Sequence, residues 1–207
     1  MSDFTLKNGK NEVRYETFEW DNVWIDHAND KTTKRVLYIG DSISVGTRKE
    51  LSKLFGDRVL FDGFATSKSV DNPFFKDALK LFIKQLNRVD AILFNNGLHG
   101  GHLDDAEYYQ NYRDIVSFLR ENHKDIPIYI LYTTYAKTPF GMNRVPGRNV
   151  QAERIAKEFG LNVIDLYDIT YQNKELISND NIHLTDEGYL ALADTIRTAL
   201  EKETEIR

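Results

Sequence analysis

Three side chains in this sequence have the types and the spacing that nucleophilic catalysis needs. Ser42 follows a glycine and a short apolar run, Val36 to Ile39, and residues 43–55 after it are predicted to form a helix. A glycine lets the backbone turn sharply as a strand ends, and a serine at the start of the next helix has an exposed hydroxyl and an unpaired amide. Ser42 is therefore a candidate nucleophile.

His183 and Asp180, near the other end of the chain, could activate this serine. A serine hydroxyl is a poor nucleophile at neutral pH, so it needs a base within hydrogen-bond reach, and the base needs a carboxylate that fixes its tautomer. In Asp180-Asn-Ile-His183 the carboxylate can fold back onto Nδ1 of the imidazole and leave Nε2 for Ser42. Thr185 is predicted to cap the helix that follows and to stiffen this loop.

Both segments resemble motifs of one family, the GDSL/SGNH hydrolases. Gly40-Asp-Ser42 at the end of the first core strand matches the motif of their serine esterases, and Asp180-Asn-Ile-His183 matches their Asp-x-x-His block, in the family's order. The resemblance implies a flavodoxin-like fold of the SGNH type and ester hydrolysis without a cofactor. It also implies backbone oxyanion donors at Ser42 and at the glycine of the second block, Gly63, although residues 64–69 could place another amide there.

The third oxyanion donor in that family is an asparagine side chain in a Gly-x-Asn-Asp block, from which this sequence departs. In Asn95-Asn-Gly-Leu-His-Gly-Gly-His102 the glycine and leucine are in register, but His99 occupies the asparagine position and Gly100 the aspartate position. Three interpretations stay open: Asn95 or Asn96 turns into the site, a neutral His99 donates instead, or the protein is catalytically weak. We expect His99 and Asn96 to be site residues, because buried amides need specific partners.

Two further interpretations concern a possible metal site and the role of Asp41. His99 and His102, with Asp104 and Asp105, have the ligand types of a zinc-dependent hydrolase. No third histidine shares a rigid element with them, so we expect no metal site. Asp41 could orient the substrate or the serine turn, although an acidic residue in the first turn of a helix is stabilising in any case.

The pattern of apolar residues predicts the elements that position these groups. Strands are predicted at 35–39, 58–62, 90–94, 128–132 and 163–166, and helices at 43–55, 74–87, 106–121, 150–159 and 186–201. This alternation predicts an α/β fold, a three-layer α/β/α sandwich with a five-stranded parallel sheet, whose reactive groups collect at the carboxyl ends of the strands. One long loop, 135–148, remains. Arg144, Arg148 and Asn149 could reach the cleft from it and recognise a polar substrate, but we expect them to be solvated.

Length and composition indicate one domain. The 207 residues, 41% of them hydrophobic, suit a single core over residues 35–207. Residues 1–34 give no sustained period and are predicted to be an irregular arm or small hairpin packed on that domain. Trp20 and Trp24 are expected to anchor this arm rather than to form a sugar-binding rim.

Charge and cysteine content exclude several classes of function. The net charge of -5 arises from 32 acidic and 27 basic residues without long blocks, so neither nucleic acid nor an anionic membrane is an expected partner. Without cysteine there are no disulfides, thiolate metal sites or cysteine nucleophiles. The N-terminal segment lacks the pattern of a signal peptide, so we expect a soluble, cytoplasmic protein, although a removed signal peptide would be invisible.

The sequence thus predicts a serine esterase that acts on a small-molecule or carbohydrate ester. Short acyl groups such as acetyl are expected, because no long apolar lid is present to shelter a fatty chain. The alternative is a glycan-binding protein on the same fold, in which the altered asparagine block marks lost catalysis. Neither the substrate's identity nor the oligomeric state follows from the sequence.

Overall fold

The structure, a computed structural model, describes residues 13–203. Within that range strands and helices alternate. The strands are β1 (Asp21–Trp24), β2 (Lys34–Gly40), β3 (Val59–Thr66), β4 (Ala91–Phe94), β5 (Ile128–Leu131) and β6 (Asn162–Ile164). The helices are α1 (Ser42–Phe55), α2 (Phe75–Ile83), α3 (Asp105–Asn122), α4 (Pro139–Asn143), α5 (Val145–Phe159), α6 (Tyr167–Gln172) and α7 (Asp186–Glu203).

The strands form one sheet in the order β1-β3-β2-β4-β5-β6. The five strands β2 to β6 are parallel, which confirms the predicted fold class, but the predicted count of five was one too low. The additional strand, β1, pairs antiparallel with β3 from Asp21 opposite Thr66 to Trp24 opposite Gly63. It is four residues long and exposed, so its sequence carries no apolar alternation to reveal it. Residues 1–12 of the predicted arm lie outside the described residues.

Helices cover both faces of the sheet because the central strands are apolar on both sides. Leu51 and Phe55 of α1 and Leu192 and Ile196 of α7 pack on one face, while α2, α3 and α5 pack on the other. The parallel strands β2, β4 and β5 are almost fully buried, as expected for a sheet that is covered twice. Between residues 13 and 203, no helix has both the length and the apolar character needed to cross a lipid bilayer.

The strand order creates a switch point beside β2. The chain passes from β2 to β3 on one side and then to β4 on the other, so the connections after β2 and β4 leave in opposite directions. Ligands of such sheets bind in the crevice at the carboxyl ends of those strands. The amide of Asn95 donates to the carbonyl of Ile39 at 3.0 Å, which places the turn after β4 directly beside the turn that carries Ser42.

Three predicted boundaries were wrong. Strand β3 continues four residues beyond the predicted end at 62, because Trp24 and its neighbours pair with the extension. Helix α2 stops at Ile83 rather than at 87. The predicted loop 135–148 is mostly helical: Thr138 caps α4 through its hydroxyl, and a proline lies in the first turn of both α4 and α5.

A buried ion pair fastens the chain between β1 and β2 to the sheet. The guanidinium of Arg35 donates to both carboxylate oxygens of Asp62, at 2.9 and 3.2 Å, and both side chains are almost completely buried. Arg35 also donates to the carbonyls of Asp26, His27 and Asp30, so it holds the connection in place. Burial raises the pKa of Asp62, and the Asp26 amide and Arg35 oppose that shift.

Candidate active site

Ser42 occupies the first position of α1, at the carboxyl end of β2. Asp41 is the N-cap of this helix, and its Oδ1 accepts a hydrogen bond from the amide of Ile43 at 2.9 Å. The hydroxyl of Ser44 donates to the carbonyl of Asp41 at 2.6 Å and closes the turn from the other side. The Ser42 amide has no acceptor within the helix, because the first amides of a helix point out of its end. Both the hydroxyl and the amide of Ser42 are therefore available at this edge of the sheet.

The side chains of Ser42, His183 and Asp180 form a continuous hydrogen-bonded chain. The Ser42 hydroxyl lies 2.8 Å from Nε2 of His183, and Nδ1 of His183 lies 2.6 Å from Oδ2 of Asp180. With the His183 proton on Nδ1, the imidazole donates to the carboxylate and accepts from the serine. This is the arrangement that transfers a serine proton to a base.

Backbone hydrogen bonds hold the loop that carries Asp180 and His183. Oδ1 of Asp180 accepts from the amides of Ile182 and His183 and from the hydroxyl of Ser178, at 2.8 to 2.9 Å. Asn181 adopts a left-handed conformation with φ of 68°, which lets the chain fold back on itself. As predicted, Thr185 accepts from the Gly188 amide at the start of α7. The imidazole thus projects from a rigid turn.

These donors also keep the Asp180 carboxylate charged. The hydrogen bond from the Ile182 amide is the largest cause that holds its pKa well below the usual range, and those from His183 and Ser178 act in the same direction. Asp180 and His183 are about half exposed, at 51% and 41% of their side-chain surface, so substrate and water can reach the imidazole.

Asp41 is a second carboxylate beside the serine, but it faces inward. Burial raises its pKa, and the nearby His99, the Ile43 amide and His183 oppose that shift. Its Oδ2 and the hydroxyl of Thr134 are both buried and have no hydrogen-bond partner among residues 13–203. Both residues line a cavity of about 10 Å³, roughly the smallest that can hold one water. Asp41 therefore shapes the turn that carries Ser42 and does not face the solvent.

The two asparagines after β4 are used inside the protein. Nδ2 of Asn95 donates to the carbonyl of Leu131 and to the hydroxyl of Thr133, at 2.8 and 2.9 Å, and so joins β4 to the end of β5. Nδ2 of Asn96 donates to the carbonyl of Lys68 at 2.9 Å, and its buried Oδ1 is unpaired within the described chain. Asn95 thus uses both N–H groups of its amide inside the protein, whereas Asn96 uses one of its two and is completely buried.

His99 lies at the rim, between the serine turn and the segment before β1. Its Nδ1 is 3.8 Å from Oε1 of Glu16, and its ring meets that of Trp20 edge to face, with centroids 6.4 Å apart. Burial lowers the pKa of His99, but Glu16 and the charge of Asp41 together outweigh it, so the net shift is upward. Glu16 was not predicted, because nothing in its local sequence reveals a partner 83 residues away.

Arg148 binds the backbone carbonyls of the turn that carries His99. Its guanidinium donates to the carbonyls of Gly97, His99 and Gly100, and it stacks over the ring of Tyr108 at 4.5 Å. Its side chain is fully buried, so the prediction of a solvated loop charge was wrong. The same prediction fails for Asn149, which is buried and pairs with the backbone of Thr133, and for Arg144, which donates to the carbonyl of Leu103.

Gly63 does not take the predicted position of an oxyanion donor. It lies inside β3, opposite Tyr38 of β2 and Trp24 of β1, three residues before the strand ends. Its backbone therefore belongs to the sheet and not to the rim. The error arose because the predicted strand was too short, and the residues that follow β3 at the rim are those from Ser67 onward.

The residues of the metal interpretation are separated by other partners. His102 pairs with Asp71 at 2.9 Å, and Asp104 caps α3 in a reciprocal bond with Glu107. In the described part of the chain, no group of three or more His, Cys, Asp or Glu side chains could hold a metal ion.

The whole arrangement defines a class of protein by its fold. A parallel sheet between two helical layers carries a serine after its first parallel strand and an Asp-x-x-His loop before its last helix. Solved structures with the same fold include proteins named as an acetyl xylan esterase, a GDSL-like lipase and a carbohydrate esterase.

Three of these structures illustrate the likeness. A carbohydrate esterase family 3 protein from Talaromyces cellulolyticus has a TM-score of 0.68 and 12% identity over 82% of this chain and 97% of its own. A GDSL-like lipase from Bacteroides thetaiotaomicron has a TM-score of 0.67 and 17% identity over 84% and 91%. An acetyl xylan esterase has a TM-score of 0.64 and 15% identity over 80% and 99%. No family model matches the sequence, and no curated protein matches it significantly.

Proposed function

We propose that this protein is a carboxylic ester hydrolase of the GDSL/SGNH type. The observation that carries the proposal is the unbroken hydrogen-bonded chain from Asp180 through His183 to the hydroxyl of Ser42. A serine with a base in contact and a carboxylate behind the base is the arrangement that forms an acyl-enzyme. The fold supports the same reaction class, because structures that share it are named as lipases and esterases.

In the proposed mechanism Ser42 attacks the ester carbonyl while His183 takes its proton. Asp180 holds the imidazolium, and His183 then protonates the departing alcohol. Water enters, His183 removes one of its protons, and attack on the acyl-enzyme releases the acid and restores the serine. Each of the two acyl transfers passes through a tetrahedral oxyanion at the same place.

The oxyanion needs donors at the rim. The Ser42 amide is the first, since it opens out of the start of α1. We assign the second to the segment after β3. In this segment the Ser67 amide already donates to the Trp20 carbonyl and the Lys68 amide to the Thr66 hydroxyl. The amide of Ser69 is therefore the favoured second donor to the oxyanion. Each such donor contributes about 10² to 10³ in rate.

The proposed substrate is a short acyl ester of a carbohydrate. Two of the similar structures are named as an acetyl xylan esterase and a carbohydrate esterase, which favours an acetylated sugar. The segment 135–148 belongs mostly to α4 and α5, and Arg148 ties it to carbonyls of the turn after β4. His183 is about half exposed, so the alcohol part of such an ester can extend into the solvent beside it.

A fluorophosphonate probe tests the reaction class. We expect the probe to label the wild-type protein and not Ser42→Ala. Ser117→Ala is the matched control, because that hydroxyl lies on α3 and donates to Glu121 of the same helix, away from the serine turn. A folded wild-type protein that is not labelled would refute the esterase and favour a glycan-binding protein. Activity that survives in Ser42→Ala and disappears with a chelator would favour a metal-dependent hydrolase.

A panel of nitrophenyl esters and an acetylated xylo-oligosaccharide tests the substrate class. We expect kcat/KM to be highest for acetyl and to fall steadily as the acyl chain lengthens. Release of acetate from the oligosaccharide should be lost in His183→Ala as well as in Ser42→Ala. A preference for esters of eight carbons or longer would contradict the proposed acyl group without affecting the mechanism.

A further inference from the structure

Glu16 stands at a point of the rim where it can act on the oxyanion site through His99. This inference rests on the proposed esterase function. His99 occupies the position where the GDSL/SGNH pattern has an asparagine, while Asn95 uses both of its amide N–H groups elsewhere and Asn96 is completely buried. An asparagine amide always offers an N–H, whereas an imidazole does so at a given nitrogen only in the right protonation state. A histidine at this position therefore needs a neighbour that fixes its protons.

Glu16 is built into the turn that carries His99. Its Oε1 accepts a hydrogen bond from the Gly100 amide at 2.6 Å and lies 3.8 Å from Nδ1 of His99. The longer distance is that of an ion pair and not of a hydrogen bond. One carboxylate oxygen thus faces the imidazole while the backbone of the next residue holds it in place.

The segment around Glu16 is anchored on both sides of the rim. The Trp20 amide donates to the hydroxyl of Ser67 at 2.8 Å, and the Ser67 amide donates back to the Trp20 carbonyl at 3.1 Å. Upstream, Arg14 donates to Glu107 at the start of α3. The Arg14 to Glu107 contact is a largely exposed ion pair, so the firmer contacts of this segment are those of Trp20 with Ser67 and of Glu16 with the Gly100 amide.

The charges around His99 favour its protonated form. Glu16 and Glu19 approach from the segment before β1, and Asp41 approaches from the serine turn. The nearby cation, Arg148, donates to the backbone carbonyl of His99 and not to its ring. His102 lies in the same turn, but it pairs with Asp71.

We propose that Glu16 is a positioning residue that holds His99 as an imidazolium, with Nδ1 toward the carboxylate and the Nε2 proton offered to the oxyanion. In this state both ring nitrogens carry a proton, so the donor toward the substrate persists while Nδ1 faces Glu16. A cationic donor also stabilises a developing negative charge more than a neutral amide does. The segment before β1 would then supply part of the site.

The proposal predicts that kcat falls on the alkaline side of its pH profile because His99 loses its proton there. His183 must be neutral to act as a base, whereas the proposed His99 donor must be charged, so a loss of kcat as the pH rises is assigned to His99. Glu16→Gln keeps the acceptor for the Gly100 amide but removes the charge, so the alkaline loss should move to lower pH. Glu19→Gln is the matched control on the same segment and should shift the pH of the alkaline loss of kcat much less. In His99→Asn the amide does not titrate, and the alkaline loss should disappear.

Two measurements separate this proposal from the esterase assignment. The pH profile of kcat on a nitrophenyl ester is recorded for the wild type, Glu16→Gln, Glu19→Gln and His99→Asn. A double variant with Glu16→Gln and His99→Asn is recorded as well, and its profile should match that of His99→Asn alone. Imidazole nitrogen chemical shifts are then followed by NMR against pH, and His99→Asn identifies the His99 signal without any need for activity.

A His99 that titrates at the same pH in wild type and Glu16→Gln would overturn the proposal, even in an active esterase. An unchanged alkaline loss in His99→Asn, or an equal loss at every pH in Glu16→Gln, would overturn it too. If Ser42 is inert to the fluorophosphonate probe, the esterase function fails on its own, and the NMR titration still decides whether Glu16 holds the charge of His99.

Discussion

Asp180→Asn is the substitution that most directly tests how His183 is held. Oδ1 of Asp180 accepts three hydrogen bonds, from the Ser178 hydroxyl and the amides of Ile182 and His183, whereas Oδ2 faces only Nδ1 of His183. An asparagine will therefore keep its oxygen at the Oδ1 position, where three donors require an acceptor. Its NH₂ group must then point at Nδ1.

This orientation reverses the hydrogen bond to the base. The asparagine donates to Nδ1, so the neutral imidazole carries its proton on Nε2 and can no longer accept the proton of Ser42. A wrong tautomer in a serine triad lowers kcat by about 10⁴. That factor corresponds to about 5.4 kcal/mol of transition-state stabilisation at 1.36 kcal/mol for each tenfold change. Since the three loop hydrogen bonds are kept, Tm should stay close to the wild-type value.

The assay is steady-state hydrolysis of nitrophenyl acetate across pH, with thermal unfolding of the same samples. The pKa of Asp180 is lowered, so in wild type its carboxylate is charged above its ordinary pKa and loses its contribution only as the pH falls through the lower, folded-state value. The acid side of the wild-type profile should therefore not arise from Asp180. Asp186→Asn, the same change in the first turn of α7, is the control and should retain activity. If Asp180→Asn keeps more than a tenth of the rate at neutral pH, the reasoning about the tautomer is wrong.

Two further substitutions test the packing behind the site. In Gly46→Ala the new Cβ would lie 2.4 Å from the ring of Tyr189, so either that ring moves aside or α1 and α7 separate. We expect a loss of about 1 to 3 kcal/mol in urea unfolding and a lower kcat, and wild-type values of both would contradict the close contact. Arg35→Met leaves the buried Asp62 carboxylate unpaired and should lower the free energy of unfolding by about 3 to 5 kcal/mol. Adding Asp62→Leu should recover much of that loss, whereas a single-variant loss below about 1 kcal/mol would mean that the pair behaves like a surface pair.

The parts of the molecule that the sequence predicted are those specified by local pattern. Apolar runs and helical periods gave the parallel sheet and its order of elements, because burial on two faces leaves a continuous apolar signature. Ser42 and the Asp180 to His183 loop could be found because each motif lies within a few residues, and each turn is closed by bonds from its own neighbours.

The parts that the sequence did not predict depend on contacts between distant segments. Strand β1 forms because β3 offers it a partner and not because its own residues favour a strand. Arg148 is buried since three backbone carbonyls and an aromatic ring replace its water, and a single arginine in a polar stretch gives no sign of this. Gly63 was assigned to the rim for the same reason: the strand extension that encloses it depends on β1.

The hydrogen bond between Ser42 and His183 joins residues 141 positions apart in the chain. One partner leads the first helix of the sandwich and the other precedes the last, so the bond can form only after those two helices have docked side by side. Turnover in this way reports on a contact between two segments that lie far apart in the chain. During refolding, hydrolysis should return together with the docking of α7 and not with a gain of helical signal alone, which makes the reaction a reporter of that docking.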